Sequence, residues 1–164
     1  MNGKIFELTP KWQQYFLTIA ETVAAGSPCL SRKVGAVLVT PDHQIISTGY
    51  NGPPRGVPHC FDGPDGTVCP RRVRAFPSGE GLHLCPAAHA ERNALIQAAR
   101  HGVRTRNSIL CLTCGIPCKD CLIEIINAGV RTIYVTSREQ YDYLTGFFLH
   151  HGALQILTYD HLRS

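Results

Sequence analysis

The sequence predicts an α/β fold in which helices pack on the faces of a central sheet. Four segments carry apolar residues at helical spacing, five others are short β-prone runs, and the two kinds alternate through the second half of the chain. Alternation of this kind is typical of sheets covered by helices. A chain of 164 residues suits one compact domain, residues 1–164, with a core of its own.

The first helix is predicted to begin at Thr9 and Pro10, because threonine caps helices and proline fits the first helical position. Its apolar stripe consists of Trp12, Phe16, Ile19, Ala20 and Val23. Two strands at residues 34–40 and 44–50 follow, and the short turn between them makes a hairpin.

Helices and strands then alternate to the end of the chain. The predicted helices cover residues 88–100, 118–128 and 141–150, and the predicted strands cover residues 108–114, 131–135 and 154–158. Gly129 and Gly152 follow the last two helices, at the position where glycine is favoured.

Residues 52–86 interrupt this order. They are rich in glycine, proline, arginine and cysteine and show no periodicity. A loop of this length inside a compact domain is expected to be functional or cross-linked. The densest basic cluster of the chain, Arg71, Arg72 and Arg74, lies here, and a solvated surface and a phosphate contact explain it equally well.

Charge and composition limit the partners. A net charge of +4 favours an anionic ligand such as a nucleotide and argues only weakly for nucleic acid. The first ten residues carry no signal-peptide pattern, and no run approaches the roughly 20 apolar residues of a membrane helix. We therefore expect a cytoplasmic protein with no membrane partner, whose eight cysteines are reduced and serve as metal ligands or catalytic groups.

Two short motifs predict the chemistry: HAE at residues 89–91 and PCKDC at residues 117–121. Cys118 and Cys121 are three residues apart, so their sulfurs share a helix face, and a helix's first turn favours thiolates. With His89 they make three ligands for a catalytic zinc ion and leave the fourth position for water. Glu91 diverges from His89 and would carry protons instead of binding metal.

Either motif alone is weak. A lone pair of cysteines at this spacing also occurs in redox sites and structural zinc knuckles, and a lone HAE is common by chance. Both motifs in this order, each opening a predicted helix and with a strand between them, strongly favour the catalytic site.

Five stretches match one known family: CLSRKVGAVL at 29–38, GYNGP at 49–53, HC at 59–60, HAERNAL at 89–95 and PCKDC at 117–121. On these the chain resembles the cytidine deaminase superfamily over residues 27–158, and its GYNG and Asn93 resemble the deoxycytidylate deaminases within it. The resemblance implies a three-layer fold around a mixed five-stranded sheet. It also implies zinc-dependent hydrolysis of dCMP to dUMP and ammonia, which supplies dUMP for thymidylate synthesis.

The resemblance assigns further residues to substrate. It implies that Asn51 contacts the sugar hydroxyl, that the backbone at Ala90 and the strand around Ala36 line the base pocket, and that Arg32 and Lys33 lie near the phosphate. A plain turn residue is the alternative for Asn51, and a solvated surface is the alternative for the two basic residues.

Three more positions stay open. Tyr141 or Tyr143 could stack on the base, although core packing is the simpler expectation for either. Cys114 stands where the family usually has threonine, and we interpret it as a small apolar residue near the zinc and not as a fourth ligand.

A second, structural zinc site is also predicted. In the resemblance, Cys29 and Cys60 match ligand positions of the structural zinc that some dCMP deaminases carry. Cys69 and Cys85 lie in the same aperiodic region, and four thiolates make a closed tetrahedral site. His59 and His83 are reserve ligands, and four buried or spare thiols are the alternative.

The resemblance further implies a homo-oligomer, a dimer or hexamer, and regulation by dCTP or dTTP with Mg²⁺. Two enzymes with the same motifs are alternatives: a tRNA adenosine deaminase, and the deaminase of riboflavin synthesis, for whose reductase domain the chain has no room. A non-catalytic zinc scaffold or nucleotide sensor, which would not need Glu91, is the alternative outside catalysis.

Overall fold

The computed structural model describes residues 6–63, 68–77, 80–140, 142–151 and 154–162. Within these residues five strands are present: β1 Gly35–Val39, β2 Ile45–Tyr50, β3 Ile109–Leu112, β4 Thr132–Val135 and β5 Gln155–Thr158. The helices are α1 Pro10–Ala25, α2 Pro70–Val73, α3 Ala90–Arg100, α4 Lys119–Asn127 and α5 Tyr143–His151. Two 3₁₀ turns cover Leu82–Leu84 and Asp160–Leu162.

The strands form one mixed sheet in the order β2-β1-β3-β4-β5. β1 runs antiparallel to both β2 and β3, whereas β3, β4 and β5 are parallel to one another. Parallel neighbours need crossover connections, which α4 and α5 provide. The prediction of a mixed five-stranded sheet is confirmed.

Helices cover both faces of the sheet, and β1 shows how the two cores arise. Successive side chains of a strand point to opposite faces. Ala36 and Leu38 accordingly join a core with α3 and α4, while Val37 and Val39 join a core with α1. All four side chains are fully buried, as expected for a strand in a covered sheet. The predicted three-layer arrangement is confirmed.

A close approach of backbone to backbone fixes α3 against the sheet. A β-carbon at Gly49 in β2 would overlap the carbonyl oxygen of Ala90 and the amide nitrogen of Ala94. Glycine at this position therefore lets the first turns of α3 lie directly on β2.

The segment at residues 52–86 leaves and re-enters the fold at one place. Gly52 and Ala88 exchange two backbone hydrogen bonds, with N···O distances of 3.1 and 2.9 Å. The insertion is therefore closed at its base and adds to the domain without interrupting the sheet. Contrary to its aperiodic sequence, it contains α2 and one of the 3₁₀ turns, because elements of three or four residues are too short to show a period.

Some helix boundaries differ from the sequence prediction. Thr9 does precede α1, but its hydroxyl makes no capping hydrogen bond. Gly129 follows α4 with φ of +78°, the left-handed conformation expected after a helix. α5 begins at Tyr143, and Gly152, predicted to end it, lies outside the described residues. Among the helices the structure describes, none is both long and apolar enough to cross a bilayer.

Candidate metal centre

The starts of two helices bring three metal-binding side chains together. His89 is the residue before α3, Cys118 is the residue before α4, and Cys121 lies in the first turn of α4. The Nδ1 atom of His89 lies 3.5 Å from the Cys118 sulfur and 3.3 Å from the Cys121 sulfur. All three donor atoms lie within 4.8 Å of one another.

These distances fit zinc. Tetrahedral bonds of about 2.3 Å to sulfur and about 2.05 Å to nitrogen place the nitrogen and sulfur ligands about 3.6 Å apart. One imidazole and two sulfurs are also a donor set that zinc prefers. His89 is exposed, Cys118 is half-buried and Cys121 is buried, so the cluster opens to solvent on its histidine side.

Hydrogen bonds within the cluster already favour a thiolate. The Cys121 thiol and the His89 ring donate to the Cys118 sulfur and lower the pKa of Cys118 to about 4, against an ordinary value of 9.0. The same pairing raises the pKa of Cys121, which holds the shared proton. A bound metal ion would replace that proton and hold both sulfurs as thiolates.

Glu91 is the second residue of α3 and lies beside the cluster. Its side chain is buried, and burial raises the pKa of the carboxyl above its ordinary value of 4.5. The charges of His89 and Arg32 oppose this rise. A buried carboxyl with a raised pKa, next to a metal cluster, suits a group that accepts and releases protons during catalysis.

An ion pair that the sequence did not reveal joins the two helices that supply the ligands. The Arg92 guanidinium contacts both carboxylate oxygens of Glu124, at 3.1 Å from Nε and 2.8 Å from an Nη atom. Two parallel contacts of this kind fix orientation as well as distance. Arg92 follows Glu91 directly, so the pair holds the start of α3 against α4.

The side chain of Asn51 is largely occupied by contacts within the chain. Its Oδ1 accepts hydrogen bonds from the Ser27 hydroxyl at 2.8 Å and the Val34 amide at 2.8 Å. Its Nδ2 donates to the Arg32 carbonyl oxygen at 2.8 Å. One N–H remains for a ligand, so Asn51 organises residues 27–34 in addition to any contact with a sugar.

Ser27 is a buried residue that sequence reasoning missed. The single proton of its hydroxyl is shared between Asn51 Oδ1 and the backbone oxygen of Asn51, which lies 2.6 Å away, and the hydroxyl accepts from the Cys29 amide at 3.2 Å. An isolated serine in a Gly-Ser-Pro turn carries no sequence signal for such a role.

The remaining predicted substrate residues divide into buried and exposed ones. Ala36 and Ala90 are fully buried. Arg32 and Lys33 are exposed. The Lys33 ammonium donates to the Ala25 carbonyl at the end of α1, whereas the Arg32 charge acts on Glu91.

The two tyrosine candidates fare differently. Tyr143 is 86% exposed, so the expectation that it packs in the core is wrong: it lies at the outer start of α5. Tyr141 lies outside the described residues. Cys114 is buried near Glu91 and Cys118, and burial raises the pKa of its thiol, as expected for an apolar role.

The four cysteines predicted to bind a second zinc ion lie in one neighbourhood. Cys60 and Cys69 are buried, and Cys29 and Cys85 are half-buried. Burial, followed by the neighbouring Cys69, raises the pKa of Cys60 to about 11, with smaller effects from Cys29 and Cys85. These thiols do not reach the mutual closeness of the first cluster.

Fold and site together define a zinc-binding α/β protein with a buried carboxyl beside its metal ligands. The chain belongs to the family of cytidine and deoxycytidylate deaminases, whose zinc-binding region matches residues 10–137.

Named relatives agree with this family. A deoxycytidylate deaminase of Schizosaccharomyces pombe is 36% identical over 150 residues, which cover 92% of this chain and 44% of that protein. One from Mycobacterium phage D29 is 37% identical over 131 residues, covering 76% of this chain and 94% of the phage protein. The chain thus spans less than half the length of the fission yeast relative.

Solved structures show the same fold. The dCMP deaminase of cyanophage S-TIM5, in complex with dCMP and dUMP, superposes with a TM-score of 0.70 at 27% identity. The match covers 93% of this chain and 99% of the phage chain.

Proposed function

We propose that this chain is a zinc-dependent deaminase that hydrolyses dCMP to dUMP and ammonia. One observation carries the proposal: His89, Cys118 and Cys121 present their donor atoms within 4.8 Å of one another, and the buried carboxyl of Glu91 lies beside them. The names of its relatives, and the dCMP and dUMP bound to the phage enzyme, support the choice of substrate.

The chain's own residues divide the work. When bound to the three ligands, a zinc ion would lower the pKa of a water molecule to near neutrality. Glu91 then accepts a proton from the attacking water and delivers it to ring nitrogen N3. It carries the second water proton to the amine on C4. The bond between C4 and nitrogen breaks, ammonia leaves, and the water oxygen stays on C4 as the carbonyl of dUMP.

The burial of Glu91 supports this role. A carboxyl is an effective proton carrier when its pKa lies closer to the working pH than its ordinary value does. Because His89 is exposed, the cytosine ring of the substrate can approach the metal from that side of the cluster. Ala36 and Ala90 line the base pocket in this proposal.

Sugar and phosphate contacts complete the proposed substrate site. Asn51 donates its remaining N–H to a sugar hydroxyl, and Arg32 neutralises the phosphate. Lys33 contributes less, since its ammonium is engaged at the end of α1.

A second zinc ion forms the structural part of the proposal. Cys29, Cys60, Cys69 and Cys85 hold it, and the electrostatic contact of Cys60 with the other three supports this ligand set. His59 and His83, both exposed, remain the reserve ligands.

Regulation and assembly are the finer parts of the proposal. dCTP or dTTP with Mg²⁺ binds as an effector, and a cavity of about 610 Å³ supports this, because Arg55 and Arg100 line it and suit phosphates. The protein forms a dimer or hexamer and works in the cytoplasm, where its dUMP feeds thymidylate synthesis.

Ammonia release from several substrates, measured side by side, tests the function. The purified chain is incubated with dCMP, deoxycytidine, cytidine, dCTP and an adenosine-containing tRNA, with Glu91→Gln as the matched control. Turnover of dCMP above all others, absent in the control, is expected. Turnover of deoxycytidine but not dCMP would refute the phosphate contact, and deamination of the tRNA would favour the adenosine deaminase.

A further inference from the structure

The inserted segment reaches across to the loop that carries Arg32. The Arg72 guanidinium, in α2, donates to the backbone oxygen of Leu30 with a distance of 2.7 Å. The two residues are 42 positions apart in the chain. This contact connects the insertion to residues 29–33, the loop that includes Arg32, the proposed phosphate contact.

Buried side chains at the start of α2 support this contact. Its first residue follows Cys69, which is buried beside Cys60. Arg71, also buried, donates to the carbonyl oxygens of Pro77 at 3.1 Å and Glu80 at 2.7 Å. The residues just before Arg72 are therefore anchored within the insertion.

Asn51 also holds the loop at residues 29–33. The Asn51 amide donates to the Arg32 carbonyl, one bond of a group that also includes Ser27 and Val34. The backbone of residues 30–32 is therefore held at Leu30 by Arg72 and at Arg32 by Asn51. Arg32, the second of these points, is also the residue whose charge acts on Glu91.

We propose that Arg72 is a positioning residue that holds the loop at residues 29–33 in the conformation that binds the substrate phosphate. This inference rests on the proposed function, because it takes Arg32 as the phosphate contact. Arg72 acts through the Leu30 carbonyl and does not touch the substrate. Through this contact α2 supports the substrate site without belonging to it.

Steady-state kinetics of four proteins test the proposal: the unaltered chain, Arg72→Ala, Arg72→Lys, and the control Arg74→Ala. Arg74 is exposed and lies two residues further along the same insertion. Because Asn51 still holds the loop, Arg72→Ala is expected to raise KM for dCMP roughly three- to tenfold and to leave kcat within about twofold. Arg72→Lys recovers part of this loss, and deoxycytidine, which lacks the phosphate, shows a smaller change.

Hydrogen exchange of the backbone amides at residues 29–34 provides a readout that needs no activity. Faster exchange in Arg72→Ala than in Arg74→Ala is expected. Unchanged exchange, or a KM for dCMP equal to that of Arg74→Ala, would overturn the proposal. A chain that does not deaminate dCMP at all would refute the proposed function, while the exchange comparison would still decide whether Arg72 holds the loop.

Discussion

Replacing Glu91 by glutamine is expected to abolish most of the turnover and at the same time to stabilise the metal-free fold. The two side chains have nearly the same shape, so the buried space is refilled. Glutamine cannot accept or release a proton, and loss of such a group costs about 10²- to 10⁴-fold in kcat. Zinc content stays unchanged, because Glu91 is not a ligand in this account.

The effect on stability follows from the pKa of Glu91. Burial raises this pKa in the folded state above the value of 4.5 that the unfolded chain retains. Above pH 4.5 the folded protein therefore binds more protons at this site than the unfolded chain does, and the free energy of unfolding falls as the pH rises through that window. Each pH unit between the two pKa values corresponds to about 1.4 kcal/mol.

Urea unfolding of the unaltered chain and of Glu91→Gln, after zinc removal and between pH 5 and pH 8, measures the difference in their free energies of unfolding. Glu91→Gln should be more stable than the unaltered chain, and the difference should widen with pH until the folded-state pKa is passed. A difference that does not vary with pH, or a glutamine variant that is less stable throughout, would show that burial does not raise the pKa of Glu91.

Three further predictions concern residues around the site. Gly49→Ala should destabilise the fold by about 1–3 kcal/mol in urea unfolding, since the added methyl group meets the backbone of α3; an unchanged midpoint would contradict that close approach. A double-mutant cycle of Arg92→Ala and Glu124→Ala should give a coupling of about 0.2–1 kcal/mol that weakens with salt, because the pair is partly exposed; no coupling at low salt would count against it. By elemental analysis, Cys60→Ser should lose one zinc equivalent and keep the catalytic one. An unchanged zinc content would refute the second site.

The fold and the two catalytic motifs could be predicted because their signals are local. The apolar run of β1 and the periodic faces of α3 and α4 lie within single segments. His89 and Cys118 are 29 residues apart, yet each opens a helix next to a strand, so their meeting follows from the order of elements.

The parts that could not be predicted depend on contacts between distant segments. Nothing in the sequence around Arg72 indicates the Leu30 carbonyl as its partner, and the four-residue α2 is too short to show a period. The role of Asn51 was predicted from resemblance, but its bonds to Ser27 and Val34 depend on how three loops meet. The exposure of Tyr143 could not be predicted either, because a single aromatic residue in a helix does not indicate which face of the helix it occupies.

Whether zinc at His89, Cys118 and Cys121 drives the hydrolysis of dCMP is decided by measuring zinc content and dCMP turnover on the same preparations of His89→Ala and of the unaltered chain. We expect the unaltered chain to hold zinc and to release ammonia from dCMP, and the variant to lose one equivalent of zinc together with the activity. A variant that keeps its full zinc content, or that still deaminates dCMP without that ion, would contradict this expectation.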